Sequence, residues 1–78
     1  MERQQQRMVK MACIELDGNV KLFHDRITAD GETIKLKRIY EIIQGFKIPT
    51  EAEQRMFAQK LQRPVWMLFT REVVDNDK

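Results

Sequence analysis

Between Thr33 and Ile48 stand four cations, Lys35, Lys37, Arg38 and Lys47, against a single acid, Glu41. Cations gathered on one short stretch either keep a surface solvated or neutralise phosphates. What holds them decides what they can reach. Leu36, Ile39, Tyr40 and Ile43 recur at the i, i+3, i+4, i+7 spacing of one helix face, leaving Lys35, Lys37, Arg38, Glu41 and Gln44 largely on the other. A short helix with an apolar back and a cationic front suits a DNA groove, and it suits a solvated surface equally. The pattern predicts a helix that starts with Thr33 as its N-cap and stops at Gly45 in a left-handed conformation.

Other chemistry is sparse. His24 is the sole histidine and reads as a surface or capping residue. Cys13 has no histidine or second cysteine nearby in sequence, which supports neither a zinc site nor a nucleophile pair. The three glycines stand apart as turn residues and form no phosphate-cradling loop. Asp25 and Asp30 are accounted for by turns and helix ends. No catalytic group, metal site or cofactor is expected, and the chain reads as a non-enzyme.

Seventy-eight residues make one domain with a small core, so self-association is a plausible second source of stability. With 42% hydrophobic and 33% charged residues, the chain has the composition of a folded protein, not a disordered one. No apolar run approaches the roughly 20 residues of a membrane span, and the polar start Met1 to Arg7 does not resemble a signal peptide. A single cysteine fits a reducing compartment, so a cytoplasmic location is expected and no membrane partner. The formal net charge is only +2, but the acids lie outside the basic stretch, at Asp17, Asp25, Asp30, Glu51, Glu53 and, in the tail, Asp75 and Asp77. That separation favours one basic face.

The elements that must position this face follow in order. Residues 1–7 are expected to fray or to begin the first helix, and residues 73–78 to fray. Val9, Ala12, Cys13 and Leu16 form a helical stripe, broadened by Met8 and Met11, which read as core or, less directly, as a dimer contact. Two Asp-Gly pairs follow, at Asp17-Gly18 and Asp30-Gly31. Read with period two, residues 12–36 make a three-stranded meander, giving an α+β domain with an N-terminal hairpin. Read with period 3.6, they hold a helix end, a second helix around Leu22 to Ala29 and a turn into the third. The downstream pattern favours the helical reading. Thr50 with Glu53 is a capping box that opens a helix through Met56, Phe57 and Leu61. Pro64 then starts a short helix through Trp66, Met67, Leu68 and Phe69, the most apolar block, expected in the core or at a subunit interface.

The series Ile39-x-x-Ile42-x-x-Gly45-x-x-x-Pro49, then Ala58-x-x-Leu61, then Pro64-Val65-Trp66-x-Leu68-Phe69, resembles the second half of the lambda-repressor-like (Cro/C1, XRE-class) helix-turn-helix domain. The likeness covers about residues 22–69, with Ala29 and Ile34 in register upstream. It departs from the usual pattern at Asp25, Gly31, Thr33 and Ile43. The resemblance implies a mainly α, four- or five-helix bundle that binds double-stranded DNA as a homodimer on a palindromic operator, as a phage Cro-like repressor or an antitoxin does in a bacterial cell. It implies Lys35, Leu36 and Lys37 at base edges, and Arg38, Gln44 and Lys47 at phosphates or outer bases. Glu41 would meet a cytosine amino group or pair with Lys35 or Lys37. Trp66, Met67, Leu68 and Phe69 would form the dimer interface. The rival expectation is a small protein-binding inhibitor or adaptor that uses that same apolar block.

Overall fold

The computed structural model describes residues 5–69, among which there are five helices and no strand. They are α1 (Arg7–Asp17), α2 (Val20–Ala29), α3 (Leu36–Gln44), α4 (Glu51–Leu61) and α5 (Val65–Leu68). The meander reading of residues 12–36 is therefore overturned. Both Asp-Gly pairs serve helix ends. Gly18 takes φ +98° and donates its N–H to Ile14 at 2.9 Å, closing α1, while the Asn19 side chain accepts from Leu22 N–H at 2.8 Å and caps α2. At the other end of α2, Gly31 N–H reaches the Thr28 carbonyl and Glu32 N–H reaches that of Ile27. This is the Schellman closure, which needs the left-handed backbone that Gly31 supplies at φ +102°.

The core is wholly apolar and draws on every helix. Val9, Ala12 and Cys13 from α1 meet Val20, Phe23 and Ile27 from α2, Ile39, Ile42 and Ile43 from α3, Phe57 and Leu61 from α4, and Leu68 from α5. Phe57 is the hub, stacked on Phe23 with centroids 5.9 Å apart and edge-on to Phe69 at 5.8 Å. Arg26 ties the rim. Its guanidinium donates to both Asp17 oxygens, at 2.8 and 3.1 Å, and to the Lys60 carbonyl at 2.8 Å, joining α1, α2 and the end of α4.

Several expectations are corrected. Helix α3 begins two residues later than expected, with Lys35 and not Thr33 as its N-cap and no side-chain cap. The chain before this start is held from outside the helix: the Schellman turn carries it as far as Glu32, and His24 Nε2 donates to the Ile34 carbonyl at 3.1 Å. Met8, Met11 and Leu16 are exposed, because α1 buries only the narrow side carrying Val9, Ala12 and Cys13. Met1 lies outside the described residues, as does the tail from 73 to 78. Tyr40 is exposed instead of packed. In the C-terminal block only Leu68 is buried, Met67 and Phe69 are half-buried, and Trp66 stands 68% exposed. No helix among the described residues is long and apolar enough to cross a membrane.

Candidate nucleic-acid interface

Helix α3 has one side in the core and one in solvent. Ile39, Ile42 and Ile43 are buried, and Leu36 is half-buried against them. The outer side carries Lys37, Tyr40, Glu41 and Gln44, at i, i+3, i+4 and i+7, all exposed except the half-buried Glu41. Tyr40 is the residue that sequence spacing misassigns. The tight trio Ile39, Ile42 and Ile43 centres the buried side away from it, and a phenol tolerates a half-wet position because its hydroxyl can remain in water.

Gly45 ends the helix in the left-handed region at φ +87°. The N–H groups of Phe46 and Lys47 then fold back onto the Glu41 carbonyl, at 2.9 and 3.2 Å. The Lys47 side chain leaves this turn into solvent. Glu41 makes no ion pair with Lys35 or Lys37; among the described residues it is the one acid without a salt bridge.

Arg38 lies on the flank facing α4 and is already engaged. Its Nη2 and Nε donate to the two Glu53 oxygens at 2.9 and 3.0 Å, and Nη2 also approaches the Ile48 carbonyl at 3.4 Å. Glu53 Oε1 in turn accepts the Thr50 N–H at 2.8 Å, and Glu53 N–H donates to Thr50 Oγ1 at 3.1 Å. One carboxylate thus completes the capping box of α4 and clamps α3 to it across the Gly45–Thr50 turn. The Arg38 hydrogen bond holds the Glu53 carboxyl below the usual carboxylate range, and the same bond raises the Arg38 guanidinium further. Arg38 thereby positions α3, and its guanidinium is not the open phosphate ligand that the resemblance implied. Leu36 likewise turns toward the core.

Charge pairing separates two sets of cations. Lys21 pairs with Asp25, Arg26 with Asp17, Arg38 with Glu53, Arg55 with Glu51, Lys60 with Asp30 and Arg63 with Glu15, at 2.7 to 3.4 Å. Arg7, Lys10, Lys35, Lys37 and Lys47 pair with no acid among the described residues, and all five are exposed. They lie on α3 or at its N-cap, on the turn leaving it, or on the first turn of α1, whose N-cap Gln6 donates its N–H to the Ile43 carbonyl at 2.8 Å. The modest net charge conceals this division. Elsewhere among the described residues the cations are paired; around α3 only Arg38 is.

Cys13 is a packing group. Burial pushes its thiol up to about 12, with the nearby Asp17 carboxylate adding to the shift, so it stays protonated at neutral pH. No family model, no curated protein and no solved structure matches the chain.

Proposed function

We propose that this chain is a sequence-specific DNA-binding regulator, of the kind represented by phage Cro-like repressors and antitoxins, acting as a homodimer on a palindromic operator. The observation that carries this reading is the gathering of the unpaired cations on α3, at its two ends and on the adjoining start of α1, while the other cations among the described residues, Arg38 included, are held in ion pairs. A polyanion is the partner that compensates such a face. The five-helix layout and the resemblance to the lambda-repressor-like domain point the same way, although the α2–α3 connection, Asp30 to Lys35, exceeds the about 3–4 residues of a tight helix-turn-helix turn.

On this reading α3 enters the major groove with Lys37, Tyr40, Glu41 and Gln44 toward base edges, Lys37 donating to guanine O6 or N7. Lys35 and Lys47, at either end of the helix, meet phosphates and set its register. The Arg38–Glu53 clamp holds the helix at a fixed angle to the bundle. Two copies place their α3 helices about 34 Å apart in successive grooves, and repression follows from occupying a promoter.

Fluorescence anisotropy on duplexes tiling the DNA beside its own gene, at two salt concentrations and with a random duplex as control, tests this. Tight, salt-weakened binding to one palindromic tile is expected. Absence of binding at low salt would overturn the reading. A second reading, a small protein-binding inhibitor or adaptor, draws on Trp66, the most exposed aromatic among the described residues. A protein partner retained by the wild type and lost by Trp66→Ala would favour it.

A further inference from the structure

The start of α1 is hydrogen-bonded to the end of α3, and between them runs a groove of about 520 Å³. Arg7 and Lys10 stand on its α1 side, Gln44 on its α3 side, and Met11, Ile14 and Ile43 give it an apolar floor. We propose that this groove is a second DNA-backbone site, in which Arg7 and Lys10 bind phosphates of the strand flanking the groove that α3 reads.

Three features support the assignment, which rests on the DNA-binding reading above. Arg7 and Lys10 are exposed and have no acid partner among the described residues, so their charge faces solvent there. Their position is indexed to the reading face. The Gln6 N–H bond to the Ile43 carbonyl fixes the first turn of α1 one residue from Gln44, which lines the groove and also ends the outer stripe of α3. A ligand following the groove therefore passes directly from α3 to the two cations. The lining is also amphipathic in the sense a nucleic-acid strand requires. Cations at the edge suit phosphate oxygens, and Met11, which is 51% exposed, offers an apolar surface to the C–H faces of deoxyribose. Contacts of this kind carry no sequence information; they add affinity, salt dependence and orientation.

The test is a salt titration of binding by the full chain, wild type against Arg7→Gln/Lys10→Gln, on the preferred duplex and on a random one. Arg55→Gln serves as the control, since Arg55 is paired with Glu51. The double variant is expected to lower the slope of log K against log salt by about 2 and to weaken both duplexes by a similar factor, a deficit that shrinks by roughly tenfold for a fourfold rise in salt. Preference for one duplex over the other should be kept, and Arg55→Gln should leave the slope unchanged. A wild-type slope in the double variant, with DNA bound, would overturn the second site and leave the DNA-binding reading standing. Failure of the wild type to bind any duplex would overturn both. A melting temperature at or above the wild-type value checks that the double variant is folded, because the substitution removes positive charge from a helix start.

Discussion

Helices α3 and α4 meet across the Gly45–Thr50 turn and begin in opposite ways. Helix α4 opens on a complete capping box, Thr50 with Glu53, and carries Glu51 and Glu53 where the helix end is positive. Helix α3 opens on Lys35, has no side-chain cap and no acid in its first turn, and adds the unpaired Lys37 to an end that is already positive. One start is built for stability. The other concentrates positive potential where a stable isolated helix would avoid it, which costs stability and attracts anions. The Arg38–Glu53 clamp links the two, so that the well-made helix holds the poorly made one in place.

The comparison breaks most visibly at Glu53. Glu53→Ala removes the side-chain half of the α4 capping box, the bond to Thr50 N–H, and leaves the half-buried Arg38 without its partner, and is expected to cost about 2–4 kcal/mol, read as a drop in melting temperature of order 10 °C or more. A drop under a few degrees would show that the clamp holds nothing. The pH dependence has a definite sign. The folded-state Glu53 carboxyl is held below its ordinary value of 4.5, so its contribution is fully present above that value and is lost as pH falls through the lower folded-state value. Glu53→Gln should therefore flatten the acid limb of the stability curve, and an unchanged limb would contradict the pairing.

Lys37→Ala tests the functional start. It should leave the melting temperature within about 1–2 °C of wild type while weakening specific binding by about 1–3 kcal/mol and relaxing one operator position. Unchanged affinity for a mapped operator would remove Lys37 from the reading face. The smallest effect is the most discriminating. Lys35→Asp gives α3 the cap it lacks at a residue whose backbone, φ −88° and ψ 151°, already suits one. It should stabilise the fold by about 1 kcal/mol and weaken DNA binding at the same time. Both rising together, or neither moving, would deny the trade between the two helix starts.

The same pair of helices shows what sequence could and could not tell. Helix α4 was legible because its start is local: Thr50 and Glu53 are three residues apart and satisfy each other. The end of α3 at Gly45 was legible for a similar reason. Its beginning was not, since the chain before it is held by a Schellman turn at Gly31 and by the His24 bond to Ile34, ten residues apart. Nor could spacing reveal that Arg38 belongs to Glu53, fifteen residues on, instead of to a ligand. The outward turn of Tyr40, Met8 and Met11 follows from how narrow the buried sides of α3 and α1 are, which depends on the helices packed against them. Lys35, Lys37 and Lys47 were legible in the sequence as cations of the candidate face, while Arg7 and Lys10 come to it only through the bond between Gln6 and Ile43. Which of them are unpaired became visible only with the fold.

Cys13 gives the molecule a built-in gauge. It is the chain's one thiol, fully buried on α1 and kept protonated, so a thiol reagent reaches it only when α1 lifts from the bundle. The labelling rate therefore counts those openings. Because α1 carries the cations of the second backbone site and is hydrogen-bonded to the end of α3, a bound duplex should slow that count, turning an unreactive core residue into a reporter of occupancy at a surface it never touches.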